Sequence, residues 1–373
     1  MKRAKSILLY IFCAIALFAF VACGTQEAPL PELEYSPTEQ ELEEIDLGEP
    51  TPEPEYTLDD VEIIPPATTL ADTPHGQIAV AHIEYMSDNF YSRVPFSYQE
   101  KRTALWIVEE LLAMGYDEYA IEMQTFRSRW DQGDMFGAGV EMRDPPYSQN
   151  VILTVPGQSD YVIVVGAHYD SLAYPGASDN ASGTALLLES AYRMRYIDNY
   201  YTIVYVFFGA EEVGLIGAFY YVDALTEQEH DNILFMLNAD VLIEGPYLFY
   251  MAGYNADWQP GVNHITETWD EIAQDMYNRH GITLFAWPDG AFGPSDQLAF
   301  LHAGHTVMFL AGLDLIDGWY DRDFSSALWE MMRVLHSPRD EFHYINERWP
   351  RKIDDNMWAF SLLLEALLLA SYT

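Results

Sequence analysis

The feature that most limits how this chain can fold is an alternation. Between residues 150 and 312, runs rich in Val, Ile, Leu and Phe take turns with helix-length segments. "NVILTVPG", "DYVIVVGAH", "YTIVYVFFGAEE", "NILFMLNADV", "YLFYMAG" and "HTVMFLAG" read as strands. "NASGTALLLESAYRM", "GLIGAFYYVDAL" and "TETWDEIAQDMYNRHG" read as helices. Strands that are apolar throughout are covered on both faces. Their alternation with helices predicts an α/β fold: a mixed, mostly parallel central sheet with helices on both faces. Upstream, "GQIAVAHIEYMSDNF" and "SYQEKRTALWIVEELLAMGY" have helical spacing, and "YAIEMQTF" reads as a strand. The C-terminal "ERWPRKIDDNMWAFSLLLEALLLASY" reads as one further helix. Asp354, Asp355 and Glu365 interrupt it, so it suits core packing better than a membrane span.

Several of these strands end in polar clusters. "GAHYDSLAYPGASDNASG" (166–183) places His168, Asp170 and Asp179 directly after a Val-rich run. Glu211 and Glu212 follow "VYVFFGA", Asp240 follows "FMLNA", and Ser295 and Asp296 precede "HTVMFLAG". In open α/β sheets, sites lie beyond the carboxyl ends of strands. A buried strand does not run into carboxylates unless something offsets their charge. Taken singly, each residue has a plainer reading. Asp179 could cap a helix, the glutamate pair could be a solvated end, and Asp240 could sit in a turn. His336 competes with His302, His305 and His343. Taken together, imidazoles and carboxylates are a zinc donor set, and about five such groups suffice for two ions sharing one carboxylate.

The termini and the charge set the context. "MKRAKS" followed by the apolar run 7–22 is a secretory signal, and Cys23 after Ala22 resembles the lipidated cysteine of a bacterial lipoprotein signal. Residues 24–71 hold fourteen acidic residues, eight prolines and no Lys or Arg, the composition of an extended tether. The expected organisation is a signal peptide (1–22), an acidic tether (23–71) and a catalytic domain (72–373). The other cysteine, Cys13, lies inside the signal, so no disulfide and no thiol nucleophile is expected. A formal charge of −40 repels phosphates, which argues against a nucleic-acid partner. The sequence sets no oligomeric state.

"GAHYDS", "GASDNASG", "GAEEVGLIGA", "NADV" and "HSPRD", in this order, resemble the secreted di-zinc exopeptidases. That family includes bacterial aminopeptidases, glutamate carboxypeptidase and, as a divergent branch, the animal-type glutaminyl cyclases. The resemblance implies two Zn²⁺ per chain. His168 and Asp240 would ligate one, Glu212 and His336 the other, and Asp179 would bridge them. Glu211 would be the general base. Asp170 would orient the His168 imidazole. The resemblance further implies a cis bond between Asp179 and Asn180. The expected activity is a metal-dependent aminopeptidase acting on peptides with a free N-terminus, held at the extracytoplasmic membrane face through Cys23. A glutaminyl cyclase-type transferase and a non-catalytic binding lipoprotein are the alternatives. Leu335 stands where the family often has Tyr, and Ser295-Asp296-Gln297 where it has Ser-Asp-His. The loop 313–335, with Trp319, Tyr320, Phe324 and Trp329, is long and aromatic.

Overall fold

In the computed structural model, the described residues are 73–127, 143, 146–254, 264–286, 295–314 and 333–372. All belong to the unit Val61–Thr373. The signal, the tether and the aromatic residues at 319–329 lie outside them.

Among the described residues, eight strands form one sheet: β1 (Ile121–Arg127), β2 (Tyr147–Val155), β3 (Ser159–His168), β4 (Tyr201–Phe208), β5 (Ile233–Ala239), β6 (Tyr247–Tyr254), β7 (Leu284–Ala286) and β8 (Val307–Leu313). Their order is β1-β2-β4-β3-β5-β8-β6-β7. The centre is parallel, β4 with β3, β3 with β5 and β5 with β8. Antiparallel pairings of β1 with β2, β2 with β4 and β6 with β8 flank it. β7 is three residues long and was not anticipated, because so short a run carries no periodic signal.

The apolar strands divide their side chains between two cores. Ile163, Val165 and Ala167 of β3, with Ile203, Tyr205 and Phe207 of β4, join one cluster. It contains residues of α1 (Gln77–Asn89), α2 (Tyr98–Ala113), α3 (Ser182–Met194), α6 (His264–His280) and α9 (Lys352–Leu369). Val164, Val204, Val206 and Phe208 join the other, with α4 (Ile216–Ala224) and α7 (Gln297–His302). Helices therefore cover both faces, as the continuous apolar runs require. A short α5 (Glu227–Asn232) leads into β5.

The expected C-terminal helix over 347–372 starts later, as α9 at Lys352, and a short α8 (Phe342–Arg348) precedes it. Pro350 disfavours helical backbone at Trp349, and Arg351 takes a left-handed φ of 68° before α9 starts. No helix among the described residues is long and apolar enough to cross a membrane.

Candidate metal centre

Parallel strands bring residues distant in sequence to one edge. The last residue of β3, His168, pairs with Phe208 of β4, and Gly166 pairs with Asn238 of β5. The continuations of these strands therefore carry His168, Glu211 with Glu212, and Asp240 side by side. Ala177–Ala181 form a π-helical turn that brings Asp179 over the same edge. The amide of Gly183 in the first turn of α3 donates to Asn180 Oδ1 at 2.8 Å, so the capping side chain is Asn180 and not Asp179. The Asp179–Asn180 bond is cis, as the resemblance implies.

Asp179 turns one carboxylate oxygen to each of two imidazoles. Its Oδ1 is 3.2 Å from His168 Nε2 and its Oδ2 is 3.0 Å from His336 Nε2. Asp240 Oδ1 lies 3.4 Å from His168 Nε2, and Glu212 Oε2 lies 3.4 Å from His336 Nε2. Glu211 Oε2 is 3.9 Å from His168 Nε2. Two donor sets result, His168–Asp179–Asp240 and Asp179–Glu212–His336, each with ligand atoms within 4.8 Å of one another. All five candidate ligands fall into these two sets, and Asp179 belongs to both. The competing histidines are elsewhere. The His302 ring packs on Phe219, His305 pairs with His230, and His343 lies 3.5 Å from Asp88 on the surface.

The electrostatics show an excess of buried negative charge. Glu212 Oε1, Asp240 Oδ1 and both oxygens of Asp296 are buried without a hydrogen-bond partner among the described residues. Burial, outweighing the attraction of His168, holds the Glu211 carboxyl well above the usual range. Burial pulls His168 and His336 down, but the surrounding carboxylates win and raise both imidazoles well above their ordinary value. Burial and the Asp179 charge lift Asp340 to about 7. Imidazole nitrogen and carboxylate oxygen are zinc donors, and a divalent cation would offset this charge, so the residues fit the metal that the resemblance implies.

Asp170 does more than the resemblance implies. His168 Nδ1 is 3.2 Å from the Asp170 carbonyl and 3.7 Å from its Oδ1. The carboxylate itself accepts the amides of Glu211 at 3.1 Å and Glu212 at 3.2 Å, and so holds the glutamate pair. Backbone strain gathers here too. Ala210, Val241 and His336 have φ of 56°, 56° and 54°, a region costing about 1–3 kcal/mol for such residues.

Two residues escaped the sequence reading. Asp340 accepts the amides of Ser178 at 2.6 Å and Asp179 at 3.1 Å, fixing the π turn. Its motif, "HSPRD", was noted for its histidine alone. Arg93 is fully buried and donates to the carbonyls of Tyr169, Pro175 and Gly176, bracing the loop before Asp179. Its partners are backbone atoms, which leave no mark in a sequence. The two departures stay clear of the donor sets. The Gln297 Oε1 accepts from Asn238 Nδ2 at 2.8 Å, beneath the strand ends, and Leu335 is a buried apolar side chain. Leu172 and Tyr174 line the cleft beside Asp179, Glu212 and His336.

The sequence profile of Peptidase family M28 matches residues 150–361, more than half of the chain. The chain belongs to this family. It is 27% identical over 198 residues to Aminopeptidase YwaD of Bacillus subtilis (strain 168), a match covering 50% of this chain and 37% of that protein. The M28 chain thus spans well under two thirds of that relative's length. Its fold is similar to that of BSAP, a zinc aminopeptidase from Bacillus subtilis. The TM-score is 0.59 at 18% identity, covering 79% of this chain and 95% of that one. It is also similar to the fold of an Acidobacteriales bacterium glutaminyl cyclase. There the TM-score is 0.57 at 20% identity, covering 81% and 96%. At these identities the likeness concerns the fold alone.

Proposed function

We propose that this M28 chain is a zinc-dependent aminopeptidase that removes N-terminal residues from peptides outside the cytoplasm. The observation that carries the reading is Asp179, one oxygen toward each imidazole–carboxylate set, with Glu211 beside it. His168 and Asp240 would hold one zinc, Glu212 and His336 a second, and Asp179 would be shared. When bound, the metal supplies Lewis acidity toward a peptide carbonyl and positive charge among the carboxylates.

The chain's own residues do the rest. Burial keeps Glu211 avid for a proton. It takes one from the attacking water and returns it to the leaving amine nitrogen. Asp170 keeps Glu211 in register through its amide. Asp340 and Arg93 keep Asp179 in place through the backbone around it. A free α-amine is cationic, and the net charge of −40 suits its approach. Cys23, as the lipidated first residue after a signal peptide of 1–22, would tether residues 72–373 to the extracytoplasmic membrane face through the acidic segment.

Amino-acid p-nitroanilides test this, compared with their N-acetylated forms, with and without a chelator. The expected result is hydrolysis of the free-amine forms only, abolished by the chelator. No hydrolysis of any free-amine form, or equal hydrolysis of the acetylated ones, would overturn the reading.

A further inference from the structure

Glu211 and Glu212 stand on a short backbone turn, and three consecutive amides of that turn are held by buried carboxylates. Glu211 N and Glu212 N donate to Asp170. Ala210 N donates to Glu100 Oε1 at 3.1 Å, across 110 residues of chain. Glu100 lies in the first turn of α2, fully buried. Its Oε2 accepts the nearby Phe96 amide at 2.6 Å, and its Oε1 also accepts the Ser148 hydroxyl at 2.6 Å.

A local capping role would need only the Phe96 contact. A buried carboxylate costs free energy unless donors offset it, and here two of the three donors, Ser148 and Ala210, come from segments far from α2 in sequence. What Glu100 fixes is tightly constrained. Ala210 has a left-handed φ of 56°, which an alanine adopts only when its surroundings hold it there. At Gly209 a Cβ would lie 2.5 Å from the Ser148 hydroxyl and 2.6 Å from the Gln149 carbonyl. The turn then closes on itself: Ile216 N donates to Ala210 O, and Gly217 N to Gly209 O. Glu100 therefore grips the first residue of the turn, and Asp170 the next two. Glu100 lies outside residues 150–361, the segment that matches the family profile.

We propose that Glu100 is a positioning residue for the glutamate pair. It holds Ala210 in its left-handed conformation, and through it aims the Glu211 carboxylate at the reacting atoms and the Glu212 carboxylate at the metal. This rests on the roles proposed above for those two glutamates.

The test uses the full-length zinc-loaded protein and the substitutions E100Q and E100D. E100D keeps the charge near Phe96 but is one methylene too short to reach Ala210. E189Q is the control. Glu189 is as buried and accepts the amides of Gly76 and Ala79, the Ser361 hydroxyl and Arg193 Nε, away from the turn. The expected result for E100Q and E100D is a kcat, per folded molecule, roughly 10–100-fold lower, with KM little changed. Zinc affinity, read by competition with a chelating dye, should fall by at least about 10-fold, and amide exchange at 210–212 should quicken. E189Q should lower the melting temperature and leave all three unchanged. If E100Q does not fold, E100D decides. The proposal is overturned if the E100 variants keep wild-type kcat, zinc affinity and amide protection, or if E189Q loses kcat as they do. A wild-type protein that cleaves no aminoacyl substrate defeats the aminopeptidase reading, while the zinc and exchange measurements still decide the role of Glu100.

Discussion

Glu211 and Glu212 are neighbours in the chain, yet their carboxylates face different imidazoles, at 3.9 Å from His168 and 3.4 Å from His336. Opposite failures follow for the proposed roles. Glu212→Gln puts a neutral amide where a ligand oxygen is needed, so zinc content should drop. Glu211→Gln leaves the five candidate ligands intact, so zinc content should hold while kcat falls by roughly 10²–10⁴-fold. Elemental analysis with steady-state kinetics on both variants checks this, and a reversed pattern would interchange the two roles. Arg93 gives a second test at this scale. Arg93→Met leaves the Tyr169 and Pro175 carbonyls without the Arg93 donor, while the Gly176 carbonyl keeps the Ala181 amide. Buried groups left unpaired cost about 1–3 kcal/mol each. Urea unfolding should therefore show a loss on the order of 2 kcal/mol or more. His168, Glu212 and Asp240 were legible because each is a chemically distinctive residue at or just beyond a strand end, whereas Asp179 and His336 stood out only through the motifs of the family resemblance. Arg93 and Glu100 were not legible, because each acts through backbone atoms of a segment far away in sequence.

Among the elements, α5 and β8 are joined by a histidine pair. His230 Nδ1, on α5, is 2.8 Å from His305 Nε2, just ahead of β8, and the rings stack at 5.1 Å. One ring nitrogen donates and the other accepts. Burial, with His230 a second cause, holds His305 down at about 4. In the unfolded chain a histidine titrates near ~6.5. A depressed folded value means that the unfolded chain takes up the proton first. The pair therefore costs nothing above pH ~6.5, and it lowers stability as pH falls from there toward about 4. His305→Gln should lose less stability than wild type between these limits, as measured by urea unfolding at a series of pH values. Equal losses would remove the pair from the account. The elements themselves were largely legible, because continuous apolar runs and helical spacing are strong signals. The break at Pro350 was missed because Arg348, Arg351 and Lys352 around it are all good helix formers. β7 was too short to register.

For the whole molecule, the charge was readable because it is a matter of composition. The wall of the cleft was not, since a substrate pocket is assembled from loops that carry no periodicity. The lipoprotein reading predicts that Cys23→Ser moves the protein out of the membrane fraction or leaves the precursor uncut. A variant processed and membrane-bound like wild type would contradict it. The most direct test of the central claim is a zinc titration of the metal-free full-length protein, with aminoacyl p-nitroanilide hydrolysis followed at each addition. Five candidate ligands in two sets that share Asp179 predict activity rising to a plateau at two zinc ions per chain. Full activity without metal, or a plateau at one ion per chain, would contradict it.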